Sequence, residues 1–216
     1  AADMAAFGSF FNQGEGCSAI SRLYGERAIK DAIVEKLIAR AEATQPGDPL
    51  DPASKMGAIV DEAQTQGIMQ FVEEGISSAN IVTGGKRVHV DGKGCFVQPT
   101  IFDDVTQDNP LARDEIFGPV LSVIAFDHED EAVAMANDSI YGLAASVWTD
   151  NLSRACRVSE NLNVGTVSVN TVDALSAQTP FGGMKQSGFG RDLSLHSLEK
   201  YTALKTTWIK YKAQAG

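Results

Sequence analysis

The chain has 216 residues, 18 Lys and Arg against 28 Asp and Glu, and a formal charge of −10. A chain of this length buries roughly 70% of the surface its unfolded form exposes, and a hydrophobic content of 44% excludes a disordered tail. The acidic balance argues against nucleic-acid binding by phosphate neutralisation and against docking on anionic lipid. No apolar run approaches the ~20 residues of a spanning helix.

Cys17, Cys95 and Cys156 are odd in number and far apart. That fits neither a disulfide framework nor a zinc site and points to a reducing, cytoplasmic setting. His89, His128 and His196 lack metal-ligand spacing, so no metal is expected. Ala1–Ala6 has neither the basic start nor the apolar run of a signal peptide. The chain opens inside a helical pattern without Met or a cap, which reads as a piece of a longer protein.

In chain order, residues 2–11 read as helix and Ser18–Tyr24 as a short strand after the turn Gly14–Gly16. Arg27–Ala43 is the clearest helix, with Ile29, Ile33 and Leu37 on one side and Val34, Ile38 and Ala41 beside them. Pro46, Gly47, Pro49 and Pro52 make a rigid loop. Asp61–Gly75 reads as helix with Ile68, Phe71 and Val72 buried. Asn80–Thr83 is a strand, and Gly92–Asp103 is irregular and partly extended. Val120–Phe126 is a buried strand, followed by Asp127 as N-cap of a helix Glu129–Asp138. Leu143–Thr149 and Gly165–Asn170 are strands around a helix Asn151–Asn161. A Gly-rich loop Pro180–Asp192, a short helix Leu193–Lys200 and a last strand Ala203–Tyr211 complete the chain. This alternation predicts an α/β fold with a mostly parallel sheet and helices on both faces.

Three segments can carry chemistry. In Phe10–Cys17, FFNQGEGC, Gly14 and Gly16 permit close backbone approach, so the sulfur of Cys17 can open to a cleft as a nucleophile. A free cysteine is more often a small buried hydrophobe. Cys156 reads as core beside Val158, and Cys95 lies in a loop with nothing near it in sequence to activate it. In Glu115–Val120, EIFGPV, a carboxylate able to accept ribose hydroxyls precedes an aromatic face and a turn into a strand, where ligands of α/β sheets gather. The plainer alternative is an exposed Glu beside a packed Phe. In Pro180–Asp192, PFGGMKQSGFGRD, four glycines match neither a dinucleotide fingerprint nor a Walker loop, so a tight structural loop is the better physical reading.

In this order, FFNQGEGC, EIFGPV and PFGGMKQSGFGRD resemble the aldehyde dehydrogenase superfamily over essentially the whole chain. QPGDPLDPASKMGAIVD and GRDLSLHSLEKYTALKTTWI resemble its branch acting on γ-glutamyl-γ-aminobutyraldehyde, guanidinobutyraldehyde and similar aminoaldehydes. The resemblance implies that Cys17 attacks the aldehyde carbon to give a thiohemiacetal. A hydride then passes to NAD or NADP, and water hydrolyses the resulting thioester to the acid. The backbone N–H of Cys17 and an upstream Asn would stabilise the oxyanion. It also implies that Glu115 and Phe117 bind the cofactor's nicotinamide ribose and ring. Phe11 and Leu175 would line the substrate tunnel, and Asp192 would handle water and protons. Asp173, in the loop Thr171–Thr179, is expected to meet a cationic tail on the substrate.

The sequence departs from many relatives at Glu15, Gly16 and Ser18 beside the thiol. It also has Asp192 in place of a Glu and Gly67 in place of a Lys. If Glu15 pointed inward, its charge would disfavour the thiolate. The resemblance divides the chain into a catalytic domain, residues 1–200, and an oligomerisation strand and tail, residues 201–216, joining a homodimer or tetramer. It puts the coenzyme-binding domain and the general-base Glu outside this chain, so the isolated chain is expected to be inactive. A CoA-acylating semialdehyde dehydrogenase and a non-catalytic interaction module of the same fold are the competing readings.

Overall fold

The computed structural model describes residues 1–212. Its centre is a four-stranded mixed sheet in the order β1 (Arg22–Glu26), β6 (Val120–Phe126), β5 (Thr100–Asp103), β2 (Asn80–Thr83). β6 pairs in parallel with both β1 and β5, and β2 closes the edge antiparallel to β5. β6 is buried from Val120 to Ile124, as the near-continuous apolar run of a covered central strand requires.

Strand alternation sorts the core into two layers. Ile101, Leu121 and Val123 face α1 (Ala2–Phe10) and α2 (Arg27–Glu42). Phe102, Val120 and Ile124 face α3 (Glu62–Ile76) and the single turn α4 (Pro110–Arg113). Ala2, Ala5, Ala6 and Gly8 keep the packed side of α1 small, so α2 comes close. The buried stripe of α2 is Lys30, Val34, Leu37 and Ala41; the last three fall on the expected apolar side, whereas Ile29 is 53% exposed and Lys30 is buried instead. Lys30 takes the inward place because Nζ reaches Asp103 at 2.8 and 2.9 Å and Asp104 at 2.8 Å. Burial opposes its charge, but the two carboxylates outweigh burial and raise its pKa.

Asp61 caps α3, its carboxylate accepting the Gln64 N–H at 2.8 Å; Ile68 and Val72 are fully buried and Phe71 half-buried. The stretch expected to be irregular holds a hairpin, β3 (Arg87–Val90) with β4 (Lys93–Val97). Its turn uses the left-handed residues Asp91 and Gly92, a hairpin signal passed over in the sequence. The first strand begins at Arg22 rather than Ser18.

Beyond β6, α5 (Glu129–Asn137) is entered from His128 rather than Asp127, with the Glu131 carboxylate accepting both their N–H groups. The remaining elements are β7 (Tyr141–Gly142), β8 (Ala144–Val147), α6 (Leu152–Asn161), β9 (Thr166–Val169) and β10 (Met184–Lys185). β8 and β9 pair in parallel and β10 pairs antiparallel to β7. α6 buries only Ala155, so Cys156, one helical step round, is exposed and not core. Leu195–Lys200 is a 3₁₀ helix. The expected strand Ala203–Tyr211 forms no ladder within the described residues; it has no neighbouring strand here, and Leu204, Trp208 and Ile209 are exposed. The last four residues of the expected 201–216 tail lie outside the described residues. No helix among the described residues is long and apolar enough to cross a membrane.

Candidate active site

The chain leaves α1 through a 3₁₀ turn, Phe11–Gly14, in which Asn12, Gln13 and Gly14 have φ of +49°, +58° and +71°. Left-handed backbone is costly for a residue with a Cβ. Here it is held locally: Asn12 Nδ2 donates to the Glu15 carbonyl at 2.9 Å, and the Glu15 N–H donates to the Asn12 carbonyl at 2.9 Å. Gly14 makes the close approach expected of it, since a Cβ there would lie 2.3 Å from the Gly118 oxygen. Gly16 makes none; its nearest neighbour would be the Ala19 Cβ at 4.0 Å. Cys17 follows, exposed.

The EIFGPV turn lies directly against this turn. Ile116 is buried, and Phe117, at φ +52°, is 39% exposed. Gly118 rests on Ile68, where a Cβ would come within 2.5 Å of Cδ1. Gln64 Nε2 donates to the carbonyls of Ile116 and Phe117 at 3.0 and 2.9 Å.

Cys17, Glu115 and Phe117 therefore line one cleft of about 370 Å³, whose other wall includes Tyr141, Leu143 and Ser187. Two guanidinium groups border it and both are engaged. Arg113 holds the carbonyl and carboxylate of Asp138, at 2.8 and 2.7 Å, and Arg22 donates to the Tyr24 hydroxyl at 3.0 Å. Glu15 does not turn toward the sulfur: its carboxylate accepts the Val60 N–H at 3.1 Å.

The other expected site residues lie outside this lining. Phe11 is 61% exposed, its ring centroid 5.0 Å from that of Phe7. Asp173 and Leu175 are exposed in a loop anchored by buried Val172, which lies near Gly8 and Ile20 of the thiol-bearing segment. Asp192 is paired with Lys200, and its backbone exchanges hydrogen bonds of 2.7 and 2.9 Å with Phe181. Cys95 lies 3.6 Å from Glu62, away from the cleft. Nothing stands within 4 Å of a Cβ built on Gly67. Sequence reasoning did not find Gln64 or Gln13; the signal available for Gln64 was its place in the first turn after a capping Asp.

Residues 1–207 match the aldehyde dehydrogenase family. This chain belongs to the aldehyde dehydrogenase family. Among its relatives is the NADP/NAD-dependent aldehyde dehydrogenase PuuC of Escherichia coli, 47% identical over 213 residues, which is 99% of this chain and 42% of the relative. A solved γ-glutamyl-γ-aminobutyraldehyde dehydrogenase from Burkholderia cenocepacia is 55% identical, with a TM-score of 0.92 over 95% of this chain and 42% of that one. The indole-3-acetaldehyde dehydrogenase AldA of P. syringae, solved as a mutant with NAD+ and IAA, is 49% identical, with a TM-score of 0.94 over 97% of this chain and 43% of that one. This aldehyde dehydrogenase chain thus spans about 42% of the length of the curated relatives it matches.

Proposed function

We propose that this chain is the thiol-bearing part of an NAD(P)-dependent aldehyde dehydrogenase that oxidises an aldehyde, an aminoaldehyde by the branch it resembles, to the carboxylic acid. The observation that carries the reading is the meeting of Cys17, Glu115 and Phe117, remote in sequence, around one cleft. In this reading the Cys17 thiolate adds to the carbonyl carbon, forming a C–S bond and a tetrahedral oxyanion. Within this chain the Cys17 N–H is the donor for that oxygen. Loss of hydride leaves an acyl-thioester on Cys17, and water releases the acid and restores the thiol.

Cofactor residues in the chain fit half of a nicotinamide dinucleotide: one solvent-facing carboxylate for hydroxyl groups and one exposed ring for a flat heterocycle. Glu115 and Phe117 would hold that group, which supplies the hydride acceptor when bound. The remaining contacts and the general base are assigned to the part of the protein outside these residues, so this chain alone is not expected to turn over. Phe11 and Leu175 are assigned to the substrate tunnel, and Asp173 to a cationic substrate end. Asp192, whose carboxylate meets Lys200, is assigned to the handling of water and protons. Residues 201–216 are assigned to subunit contact in a dimer or tetramer, on the strength of the exposed side chains of Leu204, Trp208 and Ile209 and of the absence of a strand partner for 203–211 among the described residues. Three unpaired cysteines fit a cytoplasmic location.

The test is Cys17→Ala in the full-length protein. Coenzyme-dependent aldehyde oxidation is expected to vanish while the circular dichroism spectrum is unchanged; retained turnover overturns the reading. Iodoacetamide at neutral pH is expected to label Cys17 ahead of Cys95 and Cys156.

A further inference from the structure

The thiol turn and the aromatic turn touch each other at Gly14 and Gly118, and both are also fastened to a third segment. Residues 57–64 lead into α3 and form its first turn. Toward the thiol, Glu15 accepts the Val60 N–H at 3.1 Å and Gln13 Oε1 accepts the Gly57 N–H at 3.4 Å. Toward the aromatic ring, the one amide nitrogen of Gln64 bridges the carbonyls of Ile116 and Phe117. The segment is itself anchored. Ile59 is buried in the same cluster as Ile68 and Ile116, its N–H donates to the Cys95 carbonyl at 2.8 Å, and Asp61 caps the helix that carries Gln64.

We infer that residues 57–64 are a bracket that sets the position of the Cys17 sulfur relative to Glu115 and Phe117, with Glu15 and Gln64 as its positioning residues. The chemistry at each end is specific. At Glu15 the segment needs an acceptor, which a carboxylate or an amide oxygen provides. At Gln64 it needs two donors on one atom, which the amide provides; a carboxylate would face two carbonyl oxygens. Phe117 is a bulky residue in left-handed backbone, a state that persists only where its surroundings impose it. Gln64 fixes the carbonyls on both sides of its backbone, and Ile68 one turn on supports Gly118. The departure at Glu15 thereby acquires a role: its charge is directed to the bracket and not to the thiol. This assignment rests on the proposed reaction only for its catalytic meaning; the mechanical coupling stands apart from it.

Native-state hydrogen exchange of the purified protein reads the coupling directly. Gln64→Glu is expected to speed exchange about tenfold in residues 115–120 and also in 12–17, the effect of losing one such local restraint, with α2 unchanged. Glu15→Ala is expected to do so in 12–17 and 57–60, and Glu15→Gln, which keeps the acceptor, to stay within about twofold of the parent. Loosening of 115–120 without 12–17 in Gln64→Glu overturns the bracket. Equal loosening in Glu15→Ala and Glu15→Gln overturns it too, and that pair serves if Gln64→Glu fails to fold. In the full-length protein, Gln64→Glu is expected to lower kcat more than it raises KM for the aldehyde, and an unchanged kcat overturns the positioning role. A parent enzyme that oxidises no aldehyde defeats the proposed function instead, and leaves the exchange result to decide the bracket.

Discussion

Residues 2–126 and residues 127–212 are built differently. Among the described residues, all buried apolar side chains except Ala155 and Val172 belong to the first region. The second is made of two-strand ladders, two short α-helices, a 3₁₀ helix and long exposed loops. The cleft lies at their seam. Its thiol and aromatic turns are rooted in the dry region through Gly14, Ile116 and Gly118, whereas Tyr141, Leu143 and Ser187 come from the wetter one. The contrast teaches that the wall carrying the reactive groups is held by packing together with the hydrogen bonds of Glu15 and Gln64, and that the facing wall is held mainly by hydrogen bonds. Deep burial gives the first wall high local opening energies.

The largest expected effect that sharpens this contrast is at Lys30. Lys30→Met strands the buried Asp103 carboxylate and is expected to cost about 4 kcal/mol in denaturant unfolding. A loss under about 1 kcal/mol, the level of an exposed ion pair, would refute the assignment. Next, Leu121→Ala in the central strand is expected to cost about 3 kcal/mol, whereas Leu152→Ala, at a site 77% exposed, stays within about 0.5 kcal/mol. Similar losses at both sites would break the comparison. Gly14→Ala adds a Cβ in left-handed backbone against Gly118. It is expected to cost about 2 kcal/mol and to abolish the preference of iodoacetamide for Cys17 over Cys156, read by mass spectrometry.

The smallest effect concerns the edge of the dry region. Arg87 donates to both Glu62 oxygens, at 2.7 and 2.6 Å. Arg87 first, and Gln66 after it, hold the Glu62 carboxyl at about 2 instead of the ordinary 4.5. A carboxyl lowered in the folded state contributes stability that is complete above its unfolded pKa and disappears as pH falls through the folded one. The advantage of the parent over Arg87→Met is therefore expected to be constant above pH 4.5 and to shrink between 4.5 and about 2 to the part that the Arg87 hydrogen bond to the Gly94 carbonyl contributes. Denaturation midpoints across that window check it, and a gap unchanged down to its acid end is the contrary result.

Local rules made much of the dry region legible. β2 and β6 fall at their expected bounds, and α3 begins after Asp61, because apolar runs and capping residues are local signals. The Lys30 stripe was hidden because its partners Asp103 and Asp104 are remote in sequence, and a lysine on a helix ordinarily faces water. Cys156 was misjudged because α6 has a single buried residue, so a neighbour at Val158 says little about burial. Alternation in Ala203–Tyr211 is a real strand pattern, but a ladder needs a second backbone. At the site, Cys17, Glu115 and Phe117 were visible in motifs, whereas Tyr141 and Leu143 of the facing wall belong to none. The left-handed run Asn12–Gly14 and the reach of Gln64 were not visible, since both depend on segments that meet only after folding.

The tail also gives the protein an optical signature. Of its two tryptophans, Trp148 is half-buried beside β8 and Trp208 is 93% exposed. The long-wavelength edge of the fluorescence is therefore expected to weigh toward Trp208, and iodide to quench that edge first. Whatever comes to rest on the tail shifts the emission toward the blue and shields it from the quencher, so a dilution series followed in a fluorimeter registers cover on this segment without any label.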